Sequence, residues 1–87
     1  MKRNSHFAFR KYGDTCFLKS SNTLEGKIIF LNETSTFMWE KMEDGFSADD
    51  LVKALMSVYN VDEKVAEHDV SEFISFLKLN GCLLIEE

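Results

Sequence analysis

Alternating apolar and polar positions dominate the first thirty-one residues and predict strands. Phe7 and Phe9 are two residues apart, so they share one face of a strand over residues 6–12. Gly13 and Asp14 follow, and a Gly at the first of two loop positions is typical of a tight hairpin. Residues 15–19 predict the returning strand. After a polar loop over residues 20–26, residues 27–31 predict a third strand, which is apolar on both faces and expected to be covered on both.

From Asn32 onward, the apolar spacing changes to a helical period and predicts three helices. An N-cap side chain accepts a hydrogen bond from a free amide at the start of a helix, and a Gly or Asn in the left-handed conformation commonly ends one. The expected N-caps are Asn32, Ser47 and Asp62, and the expected ends are Gly45, Asn60 and Gly81. Strands followed by helices predict an α+β domain with a small three-stranded antiparallel sheet and three helices on one side.

The helical stripes also predict the core. We expect Trp39, Leu55, Phe73 and Leu77 to be largely buried, because each lies on the apolar side of its predicted helix. The tail formed by Leu83, Leu84 and Ile85 is apolar and is compatible with a short strand.

Length and composition predict one domain over residues 1–87, with 45% hydrophobic residues to build its core. No apolar run reaches the length of a membrane span, and the N-terminus lacks a signal-peptide pattern, so we expect a cytoplasmic protein with no membrane partner. Residues 1–31 carry six basic and two acidic side chains, whereas residues 32–87 carry four basic and thirteen acidic ones. The acidic second half disfavours binding to nucleic acid.

The sequence contains few residues that suit catalysis. Cys16 and Cys82 are 66 residues apart, and together with His6 and His68 they match no zinc-finger spacing. No Gly-rich phosphate loop and no local nucleophile–base motif is present. We therefore predict no enzyme activity, no metal and no cofactor, and we expect the cysteines to be reduced thiols.

The third helix has two stripes. Its core stripe includes Ala66, Val70, Phe73, Ile74 and Leu77. A second stripe combines apolar residues with two carboxylates and consists of Val65, Asp69, Glu72, Phe76 and Leu79. This second stripe fits either a broad core face with charges at its margin or the half-exposed wall of a groove. The third strand would supply the opposite wall if it lies at a sheet edge, where a partner strand can add.

Several motifs in their observed order resemble those of the PqqD superfamily, named for protein D of pyrroloquinoline quinone biosynthesis. These motifs are Leu31-Asn32-Glu33-Thr34, Trp39, Gly45, Leu51, Leu55, Tyr59-Asn60-Val61-Asp62, Asp69-Val70, Phe73, Leu77 and Gly81. The match covers about residues 27–85. Asn60, Ile74 and Cys82 replace the residues that are commoner in the family at those positions.

This resemblance implies a winged-helix-like fold and a role as a recognition element for ribosomally made, post-translationally modified peptides. Such a protein is non-catalytic and presents a precursor peptide to a modifying enzyme, often a radical SAM protein or a protease. The leader peptide is expected to add as a strand beside the third strand and against the third helix. The residues implied are Lys27, Ile28, Ile29 and Phe30 on the strand and Val65, Asp69, Glu72 and Phe76 on the helix.

Two other classes of function fit the same element order. A winged-helix DNA-binding regulator would need a basic recognition helix, but residues 62–80 contain five acidic and two basic side chains. A structural subunit that only dimerises is the other alternative. A gel shift with duplex DNA and size-exclusion chromatography of the protein alone would distinguish these two from a peptide-binding protein.

Overall fold

The computed structural model describes residues 2–20, 27–42 and 46–84 and confirms three strands followed by three helices. It adds one short strand at each end of the chain. The strands are β1 (Lys2–Arg3), β2 (Phe7–Tyr12), β3 (Thr15–Ser20), β4 (Ile28–Leu31) and β5 (Leu83–Leu84). The helices are α1 (Glu33–Lys41), α2 (Ala48–Val58) and α3 (Glu63–Leu79). Most of the predicted polar loop, residues 21–26, lies outside the described residues.

The predicted hairpin joins β2 to β3 in an antiparallel sheet of order β2-β3-β4. Tyr12 pairs with Thr15 across a two-residue turn. At Gly13 φ is +57°, a value that L side chains rarely adopt, whereas φ at Asp14 is not positive. This sign pattern is that of a type II′ turn, whose twist matches the flanking strands.

The helices cover one face of this sheet. Leu18 and Ile29 point to that face and belong to one buried cluster together with Trp39, Leu55 and Leu77 from the three helices. On β4, the alternate residues Ile28 and Phe30 are 48% and 70% exposed. The prediction that this strand is covered on both faces is therefore wrong, because all the helices pack on the other side. The predicted burial of Trp39, Leu55, Phe73 and Leu77 is confirmed.

All three predicted N-caps form. The Asn32 side chain accepts from the Ser35 amide at 2.8 Å, and the Asp62 side chain accepts from the Val65 amide at 2.9 Å. Ser47 and Asp50 form a reciprocal capping box, with both bonds at 3.2 Å. Each cap satisfies a backbone donor that has no partner within its helix.

The predicted helix ends are only partly right. α1 ends at Lys41, with Met42 as an extended cap, and the predicted end at Gly45 lies outside the described residues. The prediction that Asn60 ends α2 in the left-handed conformation is wrong, because α2 ends at Val58 with Tyr59 as an extended cap, and φ at Asn60 is not positive. The Tyr59 ring contacts Phe37 edge-on, with centroids 5.4 Å apart, so the extended backbone anchors the end of α2 on α1.

The end of α3 matches its prediction in detail. Gly81 has φ of +76° and donates to the Lys78 carbonyl oxygen at 3.1 Å. The Cys82 amide donates to the Leu77 carbonyl oxygen at 2.8 Å. These two bonds are those of a Schellman motif, which reverses the chain direction after the helix.

The two ends of the chain meet in a small antiparallel ribbon, in which Lys2 pairs with Leu84 and Arg3 pairs with Leu83. The compatibility of the apolar tail with a strand is thus confirmed for its first two residues. The Arg3 guanidinium lies 5.4 Å from the centre of the Trp39 ring, which attaches the ribbon to the core. None of the described helices is both long enough and apolar enough to span a membrane.

Candidate functional site

A cleft of about 740 Å³ lies between β4 and α3, and the start of α1 closes one end. Its lining residues are Phe30, Leu31, Asn32, Thr34, Ser35, Met38, Asp69, Glu72, Phe73 and Phe76. We call it the β4–α3 cleft. It is an open groove and contains no nucleophile–base pair among these residues.

The free edge of β4 borders this cleft. β4 is the last strand of its sheet and pairs only with β3 in the part of the chain that the structure describes. The Ser20 amide donates to the Lys27 carbonyl oxygen at 2.9 Å, so these residues form a hydrogen-bonded pair. Such pairs alternate along an antiparallel ladder, and the register makes Leu18–Ile29 and Cys16–Leu31 hydrogen-bonded pairs too. The amides and carbonyls of Ile28 and Phe30 therefore point toward the free edge.

Buried apolar side chains form the floor of the cleft, and the partly exposed Phe76 flanks it. Leu31, Met38 and Phe73 are buried and belong to the core. Phe76 lines the same cleft and is 42% exposed. Phe30 also borders the cleft, but its side chain lies on the uncovered face of the sheet, where it is 70% exposed and its ring centroid is 6.1 Å from that of Phe17. Two partly solvated Phe rings beside an unpaired strand edge are an unfavourable combination unless another chain covers them.

The charged groups that line the cleft are both carboxylates, from Asp69 and Glu72. The Glu72 carboxylate pairs with Nε2 of His68 at 3.2 Å, and both side chains are largely solvated. Just before the start of β4, the Lys27 ammonium donates to the Asn80 carbonyl oxygen at 3.3 Å. The end of the cleft near Asp69 and Glu72 is therefore negatively charged, and the end near Lys27 is positively charged. The α3 side of the cleft favours a positively charged ligand group.

The structure brings four of the eight predicted site residues to the lining of one cleft: Phe30, Asp69, Glu72 and Phe76. Ile28 lies on the adjoining strand edge, and Lys27 lies at its end. The Ile29 side chain is in the core, so only its backbone is at the sheet surface. Val65 lies on the same stripe of α3 but does not line the cleft.

The second stripe of α3 is a half-exposed wall. Val65, Phe76 and Leu79 are 45%, 42% and 86% exposed, so the alternative of a broad core face is wrong. The α1 side of the cleft was not predicted from the sequence. It is formed by Asn32, Thr34, Ser35 and Met38. The sequence predicted only a structural role for Asn32, as the N-cap of α1. No sequence signal identified which side of α1 would face the cleft.

The described residues include no cluster of three or more His, Cys, Asp or Glu side chains that could hold a metal ion. Cys16 and Cys82 are free cysteines in this structure. Burial raises the pKa of the Cys82 thiol to about 11, although the nearby Lys27 charge acts in the opposite direction. At neutral pH this thiol is protonated, which makes it a poor nucleophile.

Comparison with known proteins identifies relatives of the whole fold. Residues 15–83 match the sequence model of the family described as coenzyme PQQ synthesis protein D (PqqD). Of the solved structures, "TbiB1 in Complex with the TbiA(beta) Leader Peptide" is 23% identical, with a TM-score of 0.84 over 100% of this chain and 99% of that chain. A "Lasso peptide synthetase B1 complexed with the leader peptide" is 25% identical, with a TM-score of 0.82 over 97% and 96% of the two chains. No curated protein sequence matches this chain.

Proposed function

The chain belongs to the PqqD family, and from this premise we propose that it binds the leader segment of a ribosomally made precursor peptide and presents that peptide to a modifying enzyme. The lasso peptide synthetase B1 that shares this fold is described as a complex with a leader peptide. That description supports the same class of ligand here.

One observation carries the proposal. The free edge of β4, with the amides and carbonyls of Ile28 and Phe30 pointing outward, lies beside a cleft that the partly exposed Phe76 lines. A peptide strand added to this edge would form main-chain hydrogen bonds whatever its sequence. Every second side chain of that strand would then point into the cleft.

Side chains of the cleft would supply selectivity. Phe30 and Phe76 would contact aliphatic or aromatic leader residues, and Asp69 and Glu72 would favour a Lys or Arg. Lys27 would favour an acidic residue at the opposite end. Ile28 and Ile29 would contribute through β4, Ile29 by its backbone alone. Val65 would contact only a leader that extends past the cleft along α3.

We also propose that the protein is a carrier without catalysis of its own, working in the cytoplasm with a radical SAM protein or a protease as partner. Free thiols at Cys16 and Cys82 suit a reducing compartment. A DNA-binding role gains no support, because α3 carries Glu63, Glu67, Asp69 and Glu72 against Lys64 and Lys78.

The test is a titration of isotope-labelled protein with the leader of the precursor peptide encoded beside its gene, followed by amide chemical shifts. We expect the largest shifts at residues 27–38 and 69–76, which form the strand edge and the cleft. A leader of scrambled sequence is the matched control, because it has the same composition and charge. Shifts confined to α2 or to the β2–β3 turn, or no shifts at all, would contradict the proposal.

A further inference from the structure

A second groove lies between α2 and α3, with a volume of about 360 Å³. We call it the α2–α3 groove. Its floor is formed by the buried residues Val52, Val70 and Ile74, and the small side chains of Ser71 and Ser75 lie along it. Small side chains beside an apolar floor allow another helix to pack closely.

This groove and the β4–α3 cleft use opposite faces of α3. No residue lines both. At 3.6 residues per turn, the cleft residues Asp69 and Phe76 lie about half a turn around the helix from the groove residues Ile74 and Lys78. A partner in the groove would therefore leave the peptide edge of β4 open.

One end of the groove is strongly acidic. Asp49 and Glu67 line it, and Glu63 precedes Glu67 by one helical turn. A side-chain hydrogen bond with Glu63 is the main cause that raises the pKa of Glu67, and the negative charges of Glu63 and Asp49 raise it further. The contact of His68 with Glu72 includes none of these three carboxylates.

The other end of the groove is basic, because Lys78 lines it. Lys78 follows Glu67 by eleven residues, which is about 16 Å of helix rise. That distance exceeds the Debye length of about 8 Å at physiological salt, so Lys78 does little to neutralise the acidic end. The groove thus has an apolar centre and opposite charges at its two ends.

We infer that the α2–α3 groove docks an amphipathic helix of the enzyme that modifies the bound peptide. The helix would carry a Lys or Arg opposite Asp49 and Glu67, an acidic residue about three turns away opposite Lys78, and apolar residues between them. This inference rests on the proposed function, because a carrier must hold its enzyme while the peptide stays bound. The opposite positions of groove and cleft on α3 meet that requirement.

The test measures the affinity of the full chain for the purified modifying enzyme encoded beside its gene, with and without bound leader. Ser71→Trp fills the groove, and Glu67→Lys reverses the charge of its acidic end. Ser57→Trp on α2 and Glu40→Lys on α1 are matched controls at exposed positions outside both sites. We expect each groove variant to weaken enzyme binding at least tenfold, with leader affinity within twofold of wild type and with both controls unchanged.

Circular dichroism of each variant establishes that the fold is retained, which we expect because Ser71 and Glu67 are exposed. Enzyme affinity unchanged by both groove variants, or an enzyme that does not bind the wild-type chain, would overturn the inference. A wild-type chain that binds the enzyme through the groove but fails to bind the leader would overturn the proposed function and leave the docking surface standing.

Discussion

The Lys27 ammonium donates a hydrogen bond to the carbonyl oxygen of Asn80, 53 positions later in the chain, at 3.3 Å. The Asn80 side-chain amide in turn donates to the Phe76 carbonyl oxygen at 2.8 Å. The start of β4 is therefore tied to the end of α3, and the positive charge of Lys27 lies at the negative end of the helix dipole. This link connects the elements that form the two cleft walls at one end.

The first prediction concerns the core residue Phe73 on α3, which is buried at the floor of the β4–α3 cleft. Phe73→Ala should lower the free energy of unfolding by about 3–5 kcal/mol, because it removes a buried ring and leaves a cavity. Urea denaturation measures this loss. Leu79→Ala on the same helix is the control and should change stability by less than about 0.5 kcal/mol, since Leu79 is 86% exposed. A loss below about 1 kcal/mol for Phe73→Ala would mean that the ring is not part of the core.

Phe76 is the expected apolar anchor of the peptide site. Phe76→Ala should weaken leader binding by more than about 1 kcal/mol, roughly fivefold, because a few buried contacts dominate the affinity of a short strand. The fold should survive, since the ring is partly exposed. Calorimetric titration gives the affinity. Met56→Ala removes a similarly exposed apolar side chain on α2 and should leave the affinity unchanged, so equal effects of the two variants would refute the anchor role.

Strand addition can be tested by proline at the edge. The Phe30 amide points toward the free edge, so Phe30→Pro removes a donor that an added peptide would use but that β3 does not. Leader affinity should fall well below that of Phe30→Ala, which isolates the loss of the ring. Ile29→Pro should instead destabilise the fold, because its amide faces β3. Equal affinities for Phe30→Pro and Phe30→Ala would argue against main-chain pairing at this residue.

The carboxylates of Asp69 and Glu72 should contribute electrostatically to leader binding. Asp69→Asn should weaken binding of a leader with a Lys or Arg by less than Phe76→Ala does. The loss should shrink as salt is added, because solvent-accessible charges are screened. Glu67→Gln makes the same kind of change on the opposite face of α3 and should leave leader affinity unchanged. A loss from Asp69→Asn that does not depend on salt would indicate a steric or structural effect.

The buried thiol predicts a loss of stability at high pH. Folding raises the pKa of Cys82 from 9.0 to about 11, so the folded protein keeps a proton that the unfolded chain releases. This contribution is complete below pH 9 and is lost as pH rises toward 11, so the free energy of unfolding should fall across that range. Urea denaturation at several pH values measures the slope. Cys82→Ala should have a shallower slope than wild type.

Local sequence signals account for much of the backbone. The caps at Asn32, Ser47 and Asp62 and the Schellman ending at Gly81 were predictable, because each depends on hydrogen bonds within a few residues. The end of α2 was not predictable in this way. Tyr59 adopts an extended conformation and packs on Phe37 from another helix, a contact that no local pattern encodes.

Part of the candidate site was predictable from local sequence signals, and the rest depends on long-range packing. The spacing of Asp69, Glu72 and Phe76 indicated a second face of α3, because helix periodicity is a local property. β4 is an edge strand because it pairs only with β3 among the described strands, and Phe30 is exposed because the helices cover the other face of the sheet. The α1 side of the β4–α3 cleft depends on packing between elements, and so does the position of the α2–α3 groove on the opposite face of α3.

The amino-acid sequence alone determined the order of the elements, their capping, their amphipathic faces and the family resemblance, since these depend on residue types at short and regular spacing. Tertiary structure decided what those faces meet. It joined Lys2–Arg3 to Leu83–Leu84, left one side of β4 uncovered and placed Asn32, Thr34 and Ser35 beside α3. These outcomes arise from long-range contacts. Their free energy depends on the simultaneous packing of all the elements, so it cannot be deduced from any single segment.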